Sequence, residues 1–287
     1  MTYQTSKNYP APQNQRGLSL IELLVGIAIS LLIIAVALGA IVASRSITGS
    51  VDDSGQLQQQ ASHIFRVMGK QLRQAGSLKL SLSTQGNEDD ADINDPVAFE
   101  IATADFNPKT DTISGIEKPK DNQFKLTTAY SNYRELIYSS NNKESLQRDC
   151  LGENGTDTVI RNRFTLRDSN LVCAGVNNNV PQPIANNVAE FEVLYLIQSS
   201  AAAGSPQLQY ANANNVGVSN WHNVYAVEVC IVLYGNEIIN LPKDSNYTNC
   251  QGQNVDMSTL TGNRARRMHK VFRNVFQLRS QGLIGTL

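Results

Sequence analysis

The sequence predicts an α+β fold in which a long N-terminal helix, membrane-spanning in its first half, packs on an antiparallel β-sheet domain. Residues 18–42 carry one charged side chain, Glu22, and apolar residues then recur at helical spacing as far as Ala75. Strong strand patterns follow late in the chain with no helix pattern between them. A helix followed by consecutive strands is typical of the α+β class.

Residues 18–42 form the first half of the predicted helix. Twenty-five helical residues rise about 37 Å, enough to cross a bilayer core of about 30 Å. Glu22 stands alone among them, and a carboxylate inside hydrocarbon is costly and usually marks a function with a partner. Residues 1–17 are polar and contain Lys7 and Arg16, so the apolar run follows the Arg16–Gly17 border, unlike the order of a secretory leader. Cleavage after Gly17 would leave the helix on the mature protein.

The second half of the helix is predicted from an apolar stripe. Its members recur every three or four residues: Leu57, Ala61, Ile64, Met68, Leu72 and Ala75. Gly76 is a reasonable C-cap, which sets the helix at 18–76. Gly49 and Gly55 predict a bend or local melting in its middle. The globular domain is then expected at 77–287.

Strand patterns occupy much of the distal domain. The weaker ones are at 97–103, 124–128, 135–139, 158–166 and 170–173, and the stronger ones at 188–197, 224–234 and 270–279. Residues 229–233 indicate burial on both faces. Polar stretches at 83–96, 177–179, 201–215 and 243–254 are predicted loops. The acidic loop at 83–96 lacks the spacing of an EF-hand, which favours a solvated loop over a calcium site.

All four cysteines follow the membrane segment. The short basic leader predicts a cytoplasmic amino terminus and a distal domain on the other, oxidising side. Four cysteines allow three pairings, and the two short loops favour Cys150–Cys173 and Cys230–Cys250. A zinc site is the alternative, but no pair has the C-x₂-C spacing.

Charge and motifs exclude several functions. The net charge is −1, and removal of residues 1–17 leaves 22 basic against 25 acidic side chains, a net charge of −3. This balance argues against a broad nucleic-acid surface. A local basic cluster remains, which either contacts DNA phosphates or pairs with acidic groups of the chain or its neighbours: Arg264, Arg266, Arg267, His269, Lys270 and Arg273.

No catalytic constellation is found in the sequence. His63, His222 and His269 lie apart from any nucleophile motif, and no P-loop or H-E-x-x-H pattern occurs. Trp221 is interpreted as an anchor of the core at the sheet edge. The chain is therefore predicted not to be an enzyme and to need no cofactor or metal.

The stretch Gly17-Leu18-Ser19-Leu20-Ile21-Glu22-Leu23-Leu24-Val25 resembles the leader junction of type IV pilins and type II pseudopilins. The resemblance implies that a prepilin peptidase cuts between Gly17 and Leu18 and methylates the new amino terminus of Leu18. It also implies that Glu22 pairs with the amino terminus of a neighbouring subunit. Leu18 departs from the usual Phe. Gly39 stands where major pilins commonly carry Pro, which favours a minor component.

The distal part resembles PilW-type minor pilins, relatives of the J-type pseudopilins. The resemblance rests on short motifs around Cys150, Cys173, Trp221–Val227 and Phe272–Arg279. It implies an inner-membrane, single-pass protein with a periplasmic domain that later joins the pilus on the cell surface. The implied partners are the prepilin peptidase, other minor pilins, the major pilin and a large tip adhesin.

Three functions stay open at this point. The first is a minor pilin that primes pilus assembly at the tip and supports adhesion and twitching motility. The second is a J-like pseudopilin of a type II secretion system. A pilus tip subunit that contacts DNA during DNA uptake is a further alternative, as a variant of the first function. The third is a membrane-anchored periplasmic binding module or enzyme whose start resembles a prepilin by chance.

Overall fold

The computed structural model of this chain describes residues 17, 19–81, 99–101, 105–136, 143–155, 158–176, 180–199, 207–239 and 241–278. Leu18, residues 1–16 of the expected leader, and the expected loops at 83–96 and 177–179 lie outside the described residues. The chain divides into two compact units, Met1–Gly49 and Ser50–Leu287. One helix, α1 (Leu20–Gln74), contributes to both.

In the first unit, α1 contains an apolar stretch from Leu20 to Val42. These 23 residues have a mean hydropathy of 2.9, and none of the most apolar window is buried within the chain. At about 1.5 Å per residue the stretch is roughly 34 Å long, which suffices to cross a bilayer core. The fold therefore leaves an apolar helix without protein cover, and the membrane span at 18–42 stays a prediction that this exposure supports.

In the second unit, α1 buries the apolar stripe that the sequence indicates. All six members of the stripe, from Leu57 to Ala75, are at most 2% exposed. The helix is continuous through Gly49 and Gly55, so the expected melting there is wrong. Each helical glycine costs only about 1 kcal/mol relative to alanine, which the burial of the stripe that follows offsets. Gly76 adopts φ +77°, as a C-cap requires.

The rest of the second unit consists of short helices and strands. In chain order the described elements are β1 (Lys79–Ser81), β2 (Phe99–Ile101), α2 (Pro108–Asp111), β3 (Ile113–Gly115), β4 (Leu126–Ser131), β5 (Arg134–Leu136), β6 (Lys143–Ser145), β7 (Val159–Arg167), β8 (Asn170–Ala174), β9 (Gln182–Ala185), β10 (Val188–Ser199), β11 (Gln207–Ala211), α3 (Ala213–Val216), β12 (Val224–Tyr234), β13 (Asn246–Thr248), β14 (Asn254–Asp256) and β15 (His269–Gln277). Short 3₁₀ turns lie at Trp221–Asn223, Met257–Thr259 and Gly262–Arg264.

The described strands pair antiparallel in two main sheets. One has the order β3-β4-β7-β8-β9 and the other β11-β10-β12-β15. Three two-stranded ribbons, β1-β2, β5-β6 and β13-β14, complete the pairing. A single core cluster joins the apolar stripe of α1 to inward side chains of both main sheets. The α+β class with an antiparallel sheet on a long helix is confirmed.

The strongest strand patterns agree with the structure. The strand expected at 224–234 coincides with β12, and those expected at 188–197 and 270–279 correspond to β10 and β15. Residues 229–233 are all buried, since one face of β12 meets the main core and the other meets Tyr247 and Cys250. The predicted burial of both faces is confirmed.

Two predicted loops are partly wrong. The stretch 201–215 contains β11 and the start of α3, and 243–254 contains β13. Their Asn- and Gln-rich composition does not predict strands. Backbone pairing of β11 with β10 and of β13 with β14 forms these strands, and neither strand depends on a run of apolar side chains. Asn212 also caps α3 by accepting from the amide of Asn215.

A buried carboxylate ties α1 to the turn after β12. Asp53 is 1% exposed, and its two oxygens accept from the amides of Asn236 at 3.1 Å and Glu237 at 3.0 Å. Gly235 lies against this carboxylate so closely that a Cβ there would stand 2.2 Å from Asp53 Oδ2. These charge-assisted bonds satisfy an acid that would otherwise be costly to bury.

Candidate processing and assembly site

The amino-terminal end of α1 is capped by the side chains of Ser19 and Glu22. The backbone amide of Ser19 donates to Glu22 Oε2 at 2.9 Å, and the Ser19 hydroxyl donates to the same oxygen at 3.1 Å. In return, the amide of Glu22 donates to Ser19 Oγ at 3.3 Å. This is a capping box, in which the residue before the helix and the third helical residue satisfy each other's backbone donors.

The capping box changes the interpretation of Glu22 as a lone charge. Both Ser19 donors use Oε2, and Oε1 accepts no hydrogen bond from any residue that the structure describes. A carboxylate at a helix amino terminus is also favoured by the helix dipole. The Ser19-x-x-Glu22 spacing is visible in the sequence and would have revealed the box. The arrangement fixes one oxygen of Glu22 and leaves the other available to a partner.

Gly17, the residue before the expected scissile bond, is exposed. A Cβ added there would meet nothing within 4 Å. The described residues therefore impose no steric need for glycine at 17. Leu18, the residue expected to be methylated, lies outside the described residues.

The four cysteines form two disulfides in the distal unit. Cys150 pairs with Cys173, and Cys230 pairs with Cys250. These are the two short loops that the sequence analysis favours. Each bond links a loop cysteine to a strand, β8 for Cys173 and β12 for Cys230.

The two loop cysteines lie in equivalent turns that the sequence analysis did not find. In Asp149-Cys150-Leu151-Gly152-Glu153 and Asn249-Cys250-Gln251-Gly252-Gln253, the first side chain accepts from the amides two and four residues later. The first and last residues also pair through their backbones, and the glycine has a positive φ of +82° or +78°. A shared pattern, [Asp/Asn]-Cys-x-Gly-[Glu/Gln], marks both turns in the sequence.

Two members of the basic cluster surround Tyr247. Arg264 Nη2 donates to the Tyr247 hydroxyl at 2.6 Å, and its Nε donates to His269 Nε2 at 3.3 Å. The His269 ring stacks between Tyr247 and Tyr234, at centroid distances of 4.9 and 5.7 Å. Burial lowers the pKa of His269 to about 4, a shift that the nearby charge of Arg264 assists and the hydrogen bond to the Arg267 carbonyl opposes.

The other described members mostly bind groups of this chain. Arg273 pairs with Glu228 at 3.0 Å and donates to the carbonyls of Asn249 and Cys250. Arg267 donates to the carbonyls of Gly235 and Asn236. These two bonds stabilise the turn whose amides bind Asp53.

Lys270 Nζ lies 3.4 Å from Ser54 Oγ of α1. These partners favour the structural interpretation of the cluster over contact with DNA. Two acids of β10 have other partners. Glu190 accepts from Tyr247 and the Cys250 amide, and Glu192 pairs with Lys125 at 2.5 Å.

The remaining candidate residues lie apart. His63 is exposed on α1, and His222 lies in the 3₁₀ turn before β12. Trp221 packs edge-to-face on the buried Tyr195 with centroids 4.9 Å apart, which fits the expected core anchor. Among the described residues no group of His, Cys, Asp and Glu side chains could hold a metal ion.

Comparison with known proteins adds two family matches. Residues 12–38 match the family described as "Prokaryotic N-terminal methylation motif", and residues 152–280 match "Type IV Pilus-assembly protein W", or PilW. The type IV-like pilin TTHA1219 from Thermus thermophilus is similar at 11% identity over 79% of this chain and 98% of that chain, with a TM-score of 0.36. No curated protein sequence matches the chain.

A methylation motif at the head of an exposed apolar helix defines the class of type IV pilin-like proteins. The second match covers residues 152–280 of the distal domain, and the two matches together support a PilW-type type IV minor pilin. Pilins are structural proteins, not enzymes. The motif also implies processing by a prepilin peptidase and assembly with other pilins.

Proposed function

We propose that this minor pilin primes type IV pilus assembly within a tip complex and thereby supports pilus display, adhesion and twitching motility. It is made with a leader, 1–17, that the prepilin peptidase removes before it methylates Leu18. The mature chain crosses the inner membrane once with its distal domain in the periplasm, and then joins other minor pilins and the major pilin beneath a large tip adhesin.

The observation that carries this proposal is the unused oxygen of Glu22. Oε2 is held by Ser19, whereas Oε1 accepts no hydrogen bond from the described chain. A carboxylate in hydrocarbon costs on the order of 3 kcal/mol on insertion scales, so a cationic partner lowers its free energy there. The amino terminus of Leu18 on a neighbouring subunit supplies such a cation only in the assembled state.

The geometry at Gly17 supports the processing step. Since the described residues leave open space at Gly17, we attribute the glycine to an outside requirement, such as a peptidase that needs an uncovered backbone. Cleavage here also makes Leu18 the new amino terminus, four residues before Glu22 in the sequence.

The proposal is tested by comparing Glu22→Gln with Glu144→Gln, a matched change at an exposed acid of β6. We expect both variants to be cleaved after Gly17 and to form both disulfides, as mass spectrometry would show. Glu22→Gln should be depleted about tenfold or more from sheared pili, while Glu144→Gln stays at the wild-type level. Normal recovery of Glu22→Gln in pili, or an intact Met1 terminus in a peptidase-positive host, contradicts the proposal.

A deletion strain separates the pilus from the secretion system. Loss of twitching with normal protein secretion supports the pilus assignment. Loss of secretion with normal twitching assigns the chain to a type II secretion system as a J-like pseudopilin.

A further inference from the structure

The solvent side of α1 in the second unit carries an unbroken row of polar and cationic residues. We call it the basic face and define it by Gln59, His63, Arg66, Lys70 and Arg73. All five side chains are exposed. Their spacing of four, three, four and three residues places them in one row along the helix, opposite the buried stripe that includes Ile64 and Met68.

The cations of the basic face have no partner in the described chain. Arg66, Lys70 and Arg73 make no hydrogen bond or ion pair there. Arg264, Arg267 and Arg273, in contrast, all bind groups of the domain. Residues 57–74 contain no acid at all. The nearest acid on the same side of α1 is Asp52, about 21 Å from Arg66 along the helix, which is beyond the Debye length of about 8 Å at physiological salt.

This uncompensated charge is also held rigidly. The opposite side of the same turns is fully buried, with Ile64, Met68 and Leu72 at 0% exposure. Gly69 brings α1 against β15 so closely that a Cβ there would stand 2.6 Å from the ring of Phe276. The three cations are therefore presented at fixed spacing on a surface where no described residue of the domain pairs with them.

We propose that the basic face docks an acidic surface of a different pilin subunit. The inference rests on the proposed function, in which α1 lies among neighbouring subunits. It adds that one neighbour is a pilin of a different kind and that its contacting surface is acidic. A second copy in the same contact would set Arg66, Lys70 and Arg73 against like charges, which disfavours self-association through this face. Nucleic acid is the less favoured partner because Phe65, the aromatic residue of this stretch, is half-buried against Phe276 and is not free to stack on a base.

The test uses the full-length protein in piliated cells. A photoreactive amino acid at Gln59 reports the neighbour of the basic face, and mass spectrometry identifies the crosslinked subunit. The test variant combines Arg66→Glu, Lys70→Glu and Arg73→Glu. The matched control reverses three exposed cations elsewhere, Lys109→Glu, Lys118→Glu and Lys120→Glu. Disulfide mapping shows that each variant folds, and a third variant, Arg66→Lys with Arg73→Lys, keeps the charge.

We expect a wild-type crosslink to another prepilin-type subunit at a site with acidic side chains. The yield should fall about tenfold in the test variant, stay unchanged in the control and the lysine variant, and recover when the partner's acids are changed to lysine. A crosslink to a second copy, or a yield unaffected by charge reversal, overturns the inference. The inference is also overturned if the test variant keeps the wild-type crosslink yield and loses only salt-dependent binding to nucleic acid.

These results are separable from a failure of the proposed function. If the wild-type protein is absent from sheared pili while the charge-dependent crosslink persists in membranes, the proposed function fails and the docking surface stands.

Discussion

Asp53 illustrates how a single buried charge can set a local requirement for glycine. Its carboxylate is held by two amides of the turn after β12, and that turn reaches it only because Gly235 has no side chain. Hydrogen bonds to a charged group contribute about 1.5–3 kcal/mol each, and a buried charge that loses them is destabilising. The requirement at 235 comes from close approach, since its φ is not positive.

Gly235→Ala should therefore destabilise the second unit by about 2–3 kcal/mol, because the new methyl group displaces the Asp53 carboxylate from its donors. Thermal unfolding of the full chain in detergent measures the effect. Gly55→Ala is the matched control, since a Cβ at this helical position meets nothing within 4 Å and should be neutral or stabilising by up to about 1 kcal/mol. Equal stability of the two variants would show that the contact does not constrain residue 235.

His269 makes stability depend on pH. Burial between Tyr234 and Tyr247 lowers its pKa to about 4 from an ordinary value of 6.5. The folded protein thus prefers the neutral ring, and its contribution to stability is complete above pH 6.5 and is lost as the pH falls toward 4. One pKa unit corresponds to about 1.4 kcal/mol, so the loss reaches at most about 3 kcal/mol.

Replacement by an amide isolates this contribution from the carboxylates that titrate in the same range. We expect the unfolding free energy of His269→Gln to fall less steeply between pH 6.5 and 4 than that of the wild type, as chemical denaturation at several pH values would show. Arg264, Arg267 and the two tyrosines face the ring and remain in both proteins. Parallel pH profiles would mean that His269 is not buried in its neutral form.

At the residue scale, the sequence identifies which charged residues matter but not which residues they bind. Glu22 is identified as the informative acid, but its bond to Ser19 goes unnoticed although both residues stand in the capping-box spacing. Arg273 is grouped with a basic cluster, while its partner, Glu228, lies 45 residues away on an adjacent strand. Such pairs follow from strand register, which composition does not contain.

At the scale of elements, the two cysteine turns show one local solution used twice. Asp149 and Asn249 each hold the amides that follow a cysteine, and so fix the loop end of a disulfide. Asp149 does more, because its Oδ2 also accepts from the Val176 amide at 3.0 Å and the side chain packs against Gly175. The Cys150 turn is thus tied to the strand end after β8, whereas the Asn249 side chain bonds only within its own turn among the described residues.

This difference predicts that substitutions at Asp149 and Asn249 lower the free energy of unfolding by different amounts. Asp149→Ala should destabilise the second unit by about 2–3 kcal/mol, and Asn249→Ala by about 1 kcal/mol, because the first removes three accepted amide bonds around a buried charge and the second removes two around a neutral amide. Denaturant unfolding with both disulfides intact measures the two values side by side. An equal cost for both variants would mean that the Val176 bond contributes nothing.

Elements with a long apolar pattern could be predicted, and those formed by pairing could not. The stripe on α1 and the apolar runs of β10 and β12 are legible because one face of each must be buried. β11 is missed because its side chains, except Ala211, are exposed, and only its register with β10 makes it a strand. β13 and β14 are equally short and polar, and they form a ribbon that covers Cys230 and Val232.

At the scale of the whole molecule, the compact second unit begins within α1. Residues from Ser50 onward form one unit, and its core includes Leu57, Ile64, Met68 and Leu72. The sequence pattern predicts a globular domain at 77–287 and a separate long helix before it. The stripe of α1 is nevertheless part of the same core as both main sheets, so the helix after Ser50 belongs to the domain in energetic terms.

Two truncations test this division. A fragment that starts at Ser50 should fold in an oxidising compartment with both native disulfides and unfold cooperatively, whereas a fragment that starts at residue 77 should be aggregated or scrambled. Burial of a large apolar side chain contributes about 1.5–3 kcal/mol, so loss of Leu57, Ile64, Met68 and Leu72 removes roughly 6–12 kcal/mol. The total stability of a domain is only about 5–15 kcal/mol.

The disulfides do not rescue the shorter fragment. Each closes a short loop, with sequence separations of 23 and 20, and acts by restricting the unfolded chain by about 3 kcal/mol. Neither covers the apolar faces of β10 and β12, which α1 buries in the intact unit and which would then face water. Peptide mapping and thermal unfolding of both fragments decide the matter, and a 77–287 fragment as stable as the longer one would show that α1 is an appendage and not part of the core.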